Sequence, residues 1–397
     1  MIDTRVPVAV GFDGYGALAV ARTLGRLGVS VYLVAPEATS FSPVSSSRYW
    51  EEKVRWDFFD RSELESVGFF RELGDRLAKK HGSRPIVLTP SDWLATFLER
   101  NGDHLIDHWR FPRSTSPVVE RLLHKWEMHK LAIDHDIPAP ITARPTSRAE
   151  VDEFVAETGF PVVVKPADPY LPGRYSKGIA RSRPELEHAI QETMSRASWN
   201  FVLQEYIPGG VENVWMCNGY FGRGDGHGVV FTGRKLRQLS STATASLAVC
   251  ASNDTVASQT YRFMTALGYR GCVGIGWRYD SRDGTYKVLD VNARVSSVFR
   301  LFAGANGLDV VRLCYRDLSG QPIGETSAQE GRKWLDERDI GAVLPSRGED
   351  RVSVRAWAGS LRGVQELHWL ARDDLGPVGA WLSRPIVRKV GGLAGRR

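Results

Sequence analysis

Residues 287–294, Lys-Val-Leu-Asp-Val-Asn-Ala-Arg, set an acid, an amide and a guanidinium among apolar residues in a run that reads as a β-strand. Alternate side chains of a strand point to opposite faces, so Leu289, Val291 and Ala293 are expected on one face and Asp290, Asn292 and Arg294 on the other. A carboxylate oxygen beside an amide oxygen offers hard ligands suited to Mg²⁺, an ion commonly held by one or two carboxylates together with substrate phosphates. A salt-bridged edge strand would satisfy the same residues, and the pattern alone leaves the two readings level. Asp283-Gly284 just upstream is a hairpin signal and predicts antiparallel pairing with residues 271–280.

Other charged residues stand at element ends. Lys165 closes the apolar run 160–165, where a buried ammonium requires a partner and an anion is a natural one. Residues 173–178, Gly-Arg-Tyr-Ser-Lys-Gly, could bring backbone N–H groups to phosphate oxygens, and a plain hairpin fits them equally well. Glu205 and Glu212 flank a proline-glycine break. Lys235 and Arg237 are expected to share a strand face and concentrate positive charge there, with a solvated basic edge as the alternative.

The elements that must position these residues are legible in outline. Residues 6–35 read as strand, helix, strand. Gly11, Gly14 and Gly16 at the first turn have the spacing GxxGxG, which is neither the dinucleotide fingerprint nor a P-loop, so a tight turn beside a substrate cleft is the reading. Residues 84–102 repeat strand then helix, with Ser91 and Asp92 as capping residues. A helix is expected through 120–136, a proline-marked link follows, and a second helix runs from Ser147 to about Thr158.

The 397 residues carry a net charge of +6, with 42% hydrophobic and 25% charged residues, which suits a multidomain globular protein and excludes disordered and fibrous classes. No apolar run has membrane-spanning length and the start lacks a signal-peptide pattern, so a cytoplasmic protein with no membrane partner is expected. Cys217, Cys250, Cys272 and Cys314 form no CxxC pair and are read as reduced packing residues. Part of the positive charge lies in the C-terminal tail; this supports no nucleic-acid partner and is compatible with anionic substrates such as nucleotides.

Taken in order, residues 124–142, 160–167, the glycine loop, 202–210, 215–221, 232–238, 286–294, 331–335 and 357–369 resemble the ATP-grasp superfamily, in particular its bacterial carboxylate-amine ligase branch, over roughly residues 5–375. The resemblance implies an α/β and α+β multidomain fold. Its parts would be an open α/β domain over 1–115, an ATP-grasp subdomain with the phosphate loop over 116–203, a subdomain with the metal site over 204–325, and a helical C-terminal extension and tail over 326–397. ATP and Mg²⁺ are the implied cofactors. By position, Lys125 and Lys165 would contact the phosphates, while Ser176, Lys177 and Gly178 would belong to the loop above them. Gln204, Glu205, Tyr206 and Ile207 would form the adenine hinge, read by backbone and carboxylate, and Glu212 would bind the ribose. Asp290 and Asn292 would hold Mg²⁺, Arg294 would steady the γ-phosphate and an acyl phosphate, and Lys235 and Arg237 would be second clamps. The implied reaction activates a small-molecule carboxylate as an acyl phosphate, which an amine then displaces, on an amino acid or peptide.

Three departures accompany the resemblance. Gly274 and Gly276 stand where such enzymes carry an acidic metal ligand, Ala293 and Ser296 replace an expected proline and glycine, and residues 239–246 lack the expected proline and glycine. A nucleotide-binding protein of the same fold with little or no chemistry, acting as a regulator or partner, is therefore the second expectation. Arg48, Asp92 and Arg300 could each meet a substrate charge, although structural ion pairs are the first reading for them. A homodimer is compatible with the sequence, which encodes no oligomeric state.

Overall fold

The computed structural model describes residues 2–12, 14–36, 42–168, 178–197, 199–222, 224, 228–239, 245–339 and 353–383. Strands β1 (Val8–Gly11), β2 (Val31–Ala35), β3 (Trp50–Arg55) and β4 (Ile86–Leu88) form a parallel sheet in the order β3-β2-β1-β4. Helices α1 (Tyr15–Gly25), α2 (Glu63–His81) and α3 (Asp92–Arg100) connect and follow these strands. The strands β1, β2 and β4 are buried throughout, as parallel strands covered on both faces must be. The glycine-rich first turn is a close-packing device: a Cβ on Gly16 would lie 2.6 Å from Pro90 Cβ, and one on Gly11 would collide with Leu94. Both neighbours belong to the segment that begins α3, where the Ser91 hydroxyl accepts the Leu94 N–H at 3.4 Å.

After the short α4 (Gly102–Leu105), the single helix expected over 120–136 is two, α5 (Val119–Leu123) and α6 (Lys125–Asp134). His124 breaks the run by adopting an extended backbone with ψ of 118°, and its imidazole caps the second helix by accepting the Glu127 N–H at 3.3 Å. Lys125 thereby becomes the first residue of α6, and its N–H donates to Ala167 O at 2.9 Å.

A second sheet, ordered β5-β8-β6-β7, comprises β5 (Thr142–Ala143), β6 (Val162–Pro166), β7 (Gly178–Ala180) and β8 (Phe201–Glu205). Val151 and Phe154 of α7 (Arg148–Thr158) and Leu186 and Ile190 of α8 (Arg183–Ala197) fill its core. The third sheet contains β9 (Val214–Phe221), β10 (Gly228–Gln238), β11 (Ala245–Cys250), β12 (Gly271–Asp280) and β13 (Thr285–Asn292). Helix α6 and α9 (Asp254–Ala266) pack with Val288, Val291 and Ala293 of this sheet. Helix α10 (Val310–Leu318) and α1 share a core with Met216, Tyr220 and Cys272.

The C-terminal segment is not wholly helical. Besides α11 (Val354–Ser360), it adds β14 (Lys333–Leu335) and β15 (Val364–Leu367), which extend the third sheet to the order β13-β12-β9-β10-β11-β14-β15. Trp334 and Leu335 bury their side chains by pairing with Ala248 and Leu247, a short alternation that a helical reading of this tryptophan-rich segment overlooks. The four cysteines are free and buried, and no helix among the described residues is long and apolar enough to cross a membrane.

Candidate active site

β13 forms the edge of the third sheet and pairs antiparallel with β12 through the hairpin at Gly284, whose φ is +71°. The alternation read from the sequence shifts at one point. A bulge sets Gly276 opposite Asp290 but Trp277 opposite Val288, so Val288 takes the buried position expected of Leu289, which is half-exposed. Beyond the bulge, Val291 and Ala293 are buried and Asp290, Asn292 and Arg294 are accessible. Gly274 pairs with Asn292, so the two positions lacking an acid face the two candidate metal ligands directly. A Cβ on Gly276 would meet no atom within 4 Å, leaving open space beside Asp290.

Cations from other elements close on this strand end. Lys125 Nζ forms an ion pair with Asp290 Oδ1. Arg294 donates from Nη2 to Asn292 Oδ1 at 3.1 Å, from Nη1 to Val295 O at 3.2 Å, and from Nε to Asp92 Oδ1 at 2.6 Å. Asp92 is in the first turn of α3, so the first domain reaches the candidate site through a carboxylate that fixes Arg294. The turn carrying it is docked independently, because the Val295 N–H donates to Thr89 O at 3.0 Å.

Lys165, next to last in β6, has its side chain buried and donates to Gln204 Oε1 at 2.5 Å, while Gln204 Nε2 donates to Thr142 Oγ1 at 3.1 Å. Glu205 departs from the adenine-reading role expected of its carboxylate. Its Oε1 accepts the Ile141 N–H at 3.0 Å and lies 3.3 Å from Lys287 Nζ, and its Oε2 accepts from Arg282 at 2.6 Å. The same cations hold Asp280: Arg282 keeps its carboxyl well below the usual range against the effect of burial, and Lys287 adds to this at 2.7 Å. Burial works against the Lys287 ammonium, but Asp280 and Asp283 raise it on balance. This cluster locks β8 to the β12–β13 hairpin and occupies Asp280 structurally. Tyr206 has the Arg278 guanidinium 5.7 Å from its ring centroid, Ile207 is buried with its carbonyl accepting from Arg278 Nε at 2.9 Å, and exposed Glu212 accepts the Gly210 N–H at 3.0 Å.

Lys235 and Arg237 do not form the expected pair. A register shift sets Lys235 opposite Ala248 and Arg237 opposite the adjacent Leu247, which turns the two side chains to different faces. Arg237 grips the buried Asp339 through Nε at 3.0 Å and Nη2 at 2.6 Å and donates to Ser360 Oγ at 2.7 Å, so it ties β10 to the C-terminal segment. Arg300 pairs with Glu366 at 2.6 Å, and burial lowers its pKa to about 10. The Arg48 N–H donates to Asp374 Oδ1 at 2.9 Å. Ser176 and Lys177 lie outside the described residues, and Gly178 is the first residue of β7, paired with Val164.

Among the described residues no three His, Cys, Asp or Glu side chains converge as a metal set. Asp290 and Asn292 with the open space at Gly276 nevertheless suit a hydrated Mg²⁺ that takes its remaining oxygens from water and phosphate. Lys125, Lys165 and Arg294 are cations of the kind that a triphosphate would need. Sequence reasoning missed Arg282 and Lys287 as hinge residues and assigned Asp92 no partner. The dense alternation of charge over 278–287 was the available signal for the first two.

No protein-family model matches the chain. Its sequence is similar to D-aspartate ligase of Enterococcus faecium, 24% identical over 290 residues that cover 67% of this chain and 68% of that one. Its fold is similar to L-amino acid ligase from Bacillus licheniformis, with a TM-score of 0.61, 16% identity and coverage of 82% and 78% of the two chains. It is also similar to the biotin carboxylase domain of Hydrogenobacter thermophilus 2-oxoglutarate carboxylase, solved with MgADP and bicarbonate: TM-score 0.60, 16% identity, coverage 81% and 71%.

Proposed function

We propose that this chain, which belongs to the ATP-grasp superfamily, is an ATP- and Mg²⁺-dependent ligase that joins a small-molecule carboxylate to an amine, acting on an amino acid or peptide. The convergence of Lys125, Asp290, Asn292 and Arg294, with Arg294 held from the first domain by Asp92, carries this reading. Bound MgATP supplies the phosphoryl group that activates a carboxylate and neutralises part of the charge that develops. Asp290 and Asn292 would hold the metal, and Lys125 and Lys165 would take phosphate oxygens. Arg294 presents a preorganised guanidinium to the charge that builds on the transferred group, where a fixed donor stabilises the transition state most.

Gly276 opposite Asp290 favours a second reading, a nucleotide-binding protein that turns over slowly or not at all. A coupled ADP-release assay with Mg²⁺ and pools of amino acids and small carboxylic acids, run beside thermal unfolding with ATP, separates the two. Release that requires both a carboxylate and an amine establishes the ligase. Stabilisation by ATP with no release across the pools supports the binding protein, and no response in either measurement overturns both.

A further inference from the structure

A cavity of about 210 Å³ lies between the first domain, the linker that leaves it and the third sheet. Its walls include neither Asp290, Asn292, Lys125, Lys165 nor Glu205, and it meets the candidate active site only at Ala293–Val295. The deep wall is apolar: Leu98 of α3, Phe111 of the linker, Val119 at the start of α5 and the ring of Tyr269. The polar groups among them are already committed. Tyr269 donates its hydroxyl to Cys272 O at 2.6 Å. Glu99 accepts the N–H groups of Val118, Val119 and Glu120 at 2.7, 2.8 and 3.1 Å. The mouth is polar, formed by Arg113, Ser114, Thr115, Ser116 and Arg270, and there Arg113 pairs with the exposed Asp103 at 2.7 Å while Ser114 Oγ accepts the Arg270 N–H at 3.1 Å. Gly268 and Gly271, with φ of +62° and +124°, let the linker approach the sheet there, since a Cβ on Gly268 would collide with Thr115.

We propose that this cavity is an effector site for a small molecule with a ring-sized apolar body and one anionic head. An apolar cavity of roughly 150 Å³ already accommodates benzene, so this volume holds an aromatic ring with a short tail. The head would face Arg113 and Arg270, taking over the guanidinium N–H that Arg113 now gives the exposed Asp103 carboxylate. Occupancy reaches the active site through two hydrogen-bonded links in the wall. The Val295 N–H on Thr89 O fixes the turn that carries Arg294, and Glu99 anchors the start of α5, which leads into Lys125. The binding half of the proposal stands without the ligase reading, and the effect on turnover rests on it.

The test uses 3-phenylpropionate and isothermal titration of the full chain. The expected result is saturable one-to-one binding that persists with saturating MgATP and is weakened at least about tenfold in both Ala95→Phe, which fills the cavity, and Arg113→Glu, which reverses charge at the mouth. Toluene-sized or acetate-sized fragments should bind more weakly than the whole. Thermal unfolding with ATP checks that each variant is folded, and Arg113→Glu, at an exposed position, keeps the test open if Ala95→Phe is not. Absence of binding at millimolar ligand, displacement by ATP, or equal affinity in a folded variant overturns the site. Competition with the carboxylate substrate, if turnover is found, overturns the effector role and makes the cavity a substrate subsite. Binding without turnover in any pool would leave the site standing while the ligase reading fails.

Discussion

Asp92→Asn tests whether the first domain takes part in the chemistry. Asp92 Oδ1 accepts from Arg294 Nε at 2.6 Å, and the two side chains are 31% and 21% exposed. A hydrogen bond between charged partners contributes about 1.5–3 kcal/mol when well enclosed. Partial exposure reduces that here to about 1–2 kcal/mol. Arg294 keeps its bonds to Val295 O and Asn292 Oδ1, so the guanidinium should lose aim without leaving the site. If the whole loss falls on the transition state, kcat drops about 5- to 30-fold. Because Arg294 stays in the site on its two other bonds and the contacts of Lys125 with Asp290 and of Lys165 with Gln204 are kept, KM for ATP should change less than about twofold. Steady-state ADP release gives both parameters. An unchanged kcat would refute the positioning role, and a fall beyond about a thousandfold would show Asp92 in direct contact with a reacting group.

Asp290→Asn should reduce ADP release at least about 100-fold with little change in thermal midpoint, since the residue sits at a sheet edge; unchanged turnover would sink the metal assignment. Gly276→Asp places a carboxylate in open space opposite Asp290 and should lower the half-saturating Mg²⁺ concentration, which a metal titration of ADP release measures directly. Arg237→Ala leaves Asp339, only 1% exposed, without its cation, so stability should fall by about 3 kcal/mol with turnover per folded molecule largely kept. The opposite pattern in denaturant titration and kinetics would restore the phosphate-clamp role. His368 is buried against Tyr15, Trp334 and Trp369, and burial pushes its pKa down to about 4. The unfolded imidazole titrates near 6.5, so between these values the unfolded chain binds the extra proton. Stability is full above about pH 6.5 and falls by about 3 kcal/mol on the way down to pH 4. His368→Gln should flatten that slope in pH-dependent denaturant unfolding.

Periodicity and glycine positions made the first domain, the β12–β13 hairpin and α7 legible, because each follows from local pattern and capping. The shift at Leu289, the break at His124 and the opposed faces of Lys235 and Arg237 were not, since each is a one-residue irregularity chosen by tertiary packing. The same holds for the site. Asp290, Asn292 and Arg294 could be read together because one short run carries them, the first two on β13 and Arg294 just past its end. Asp92 lies 202 positions from Arg294, and Arg282 lies 77 from Glu205, distances over which a single sequence gives no register.

The absent acid at position 276 changes the electrostatics of the site in a way the ion pairs make visible. With a second carboxylate the strand end would carry two negative charges; here Asp290 carries one, and Lys125 meets it. Asn292, which is neutral, is covered by the Arg294 guanidinium, whose own charge is met by Asp92. The site is thus balanced before any ligand arrives, and a cation that takes Asp290 Oδ1 and Asn292 Oδ1 must displace Lys125 and Arg294 from them. An isolated divalent ion gives those side chains nowhere to go, because it leaves four positive charges facing the two carboxylates Asp290 and Asp92. A triphosphate arriving with the ion supplies the anions that both side chains need. Metal affinity should therefore be weak alone and rise steeply with nucleotide. Lys125→Met should uncouple the two by raising affinity for the free ion while weakening binding of the nucleotide, and Mn²⁺ titrations with and without ADP would show whether it does.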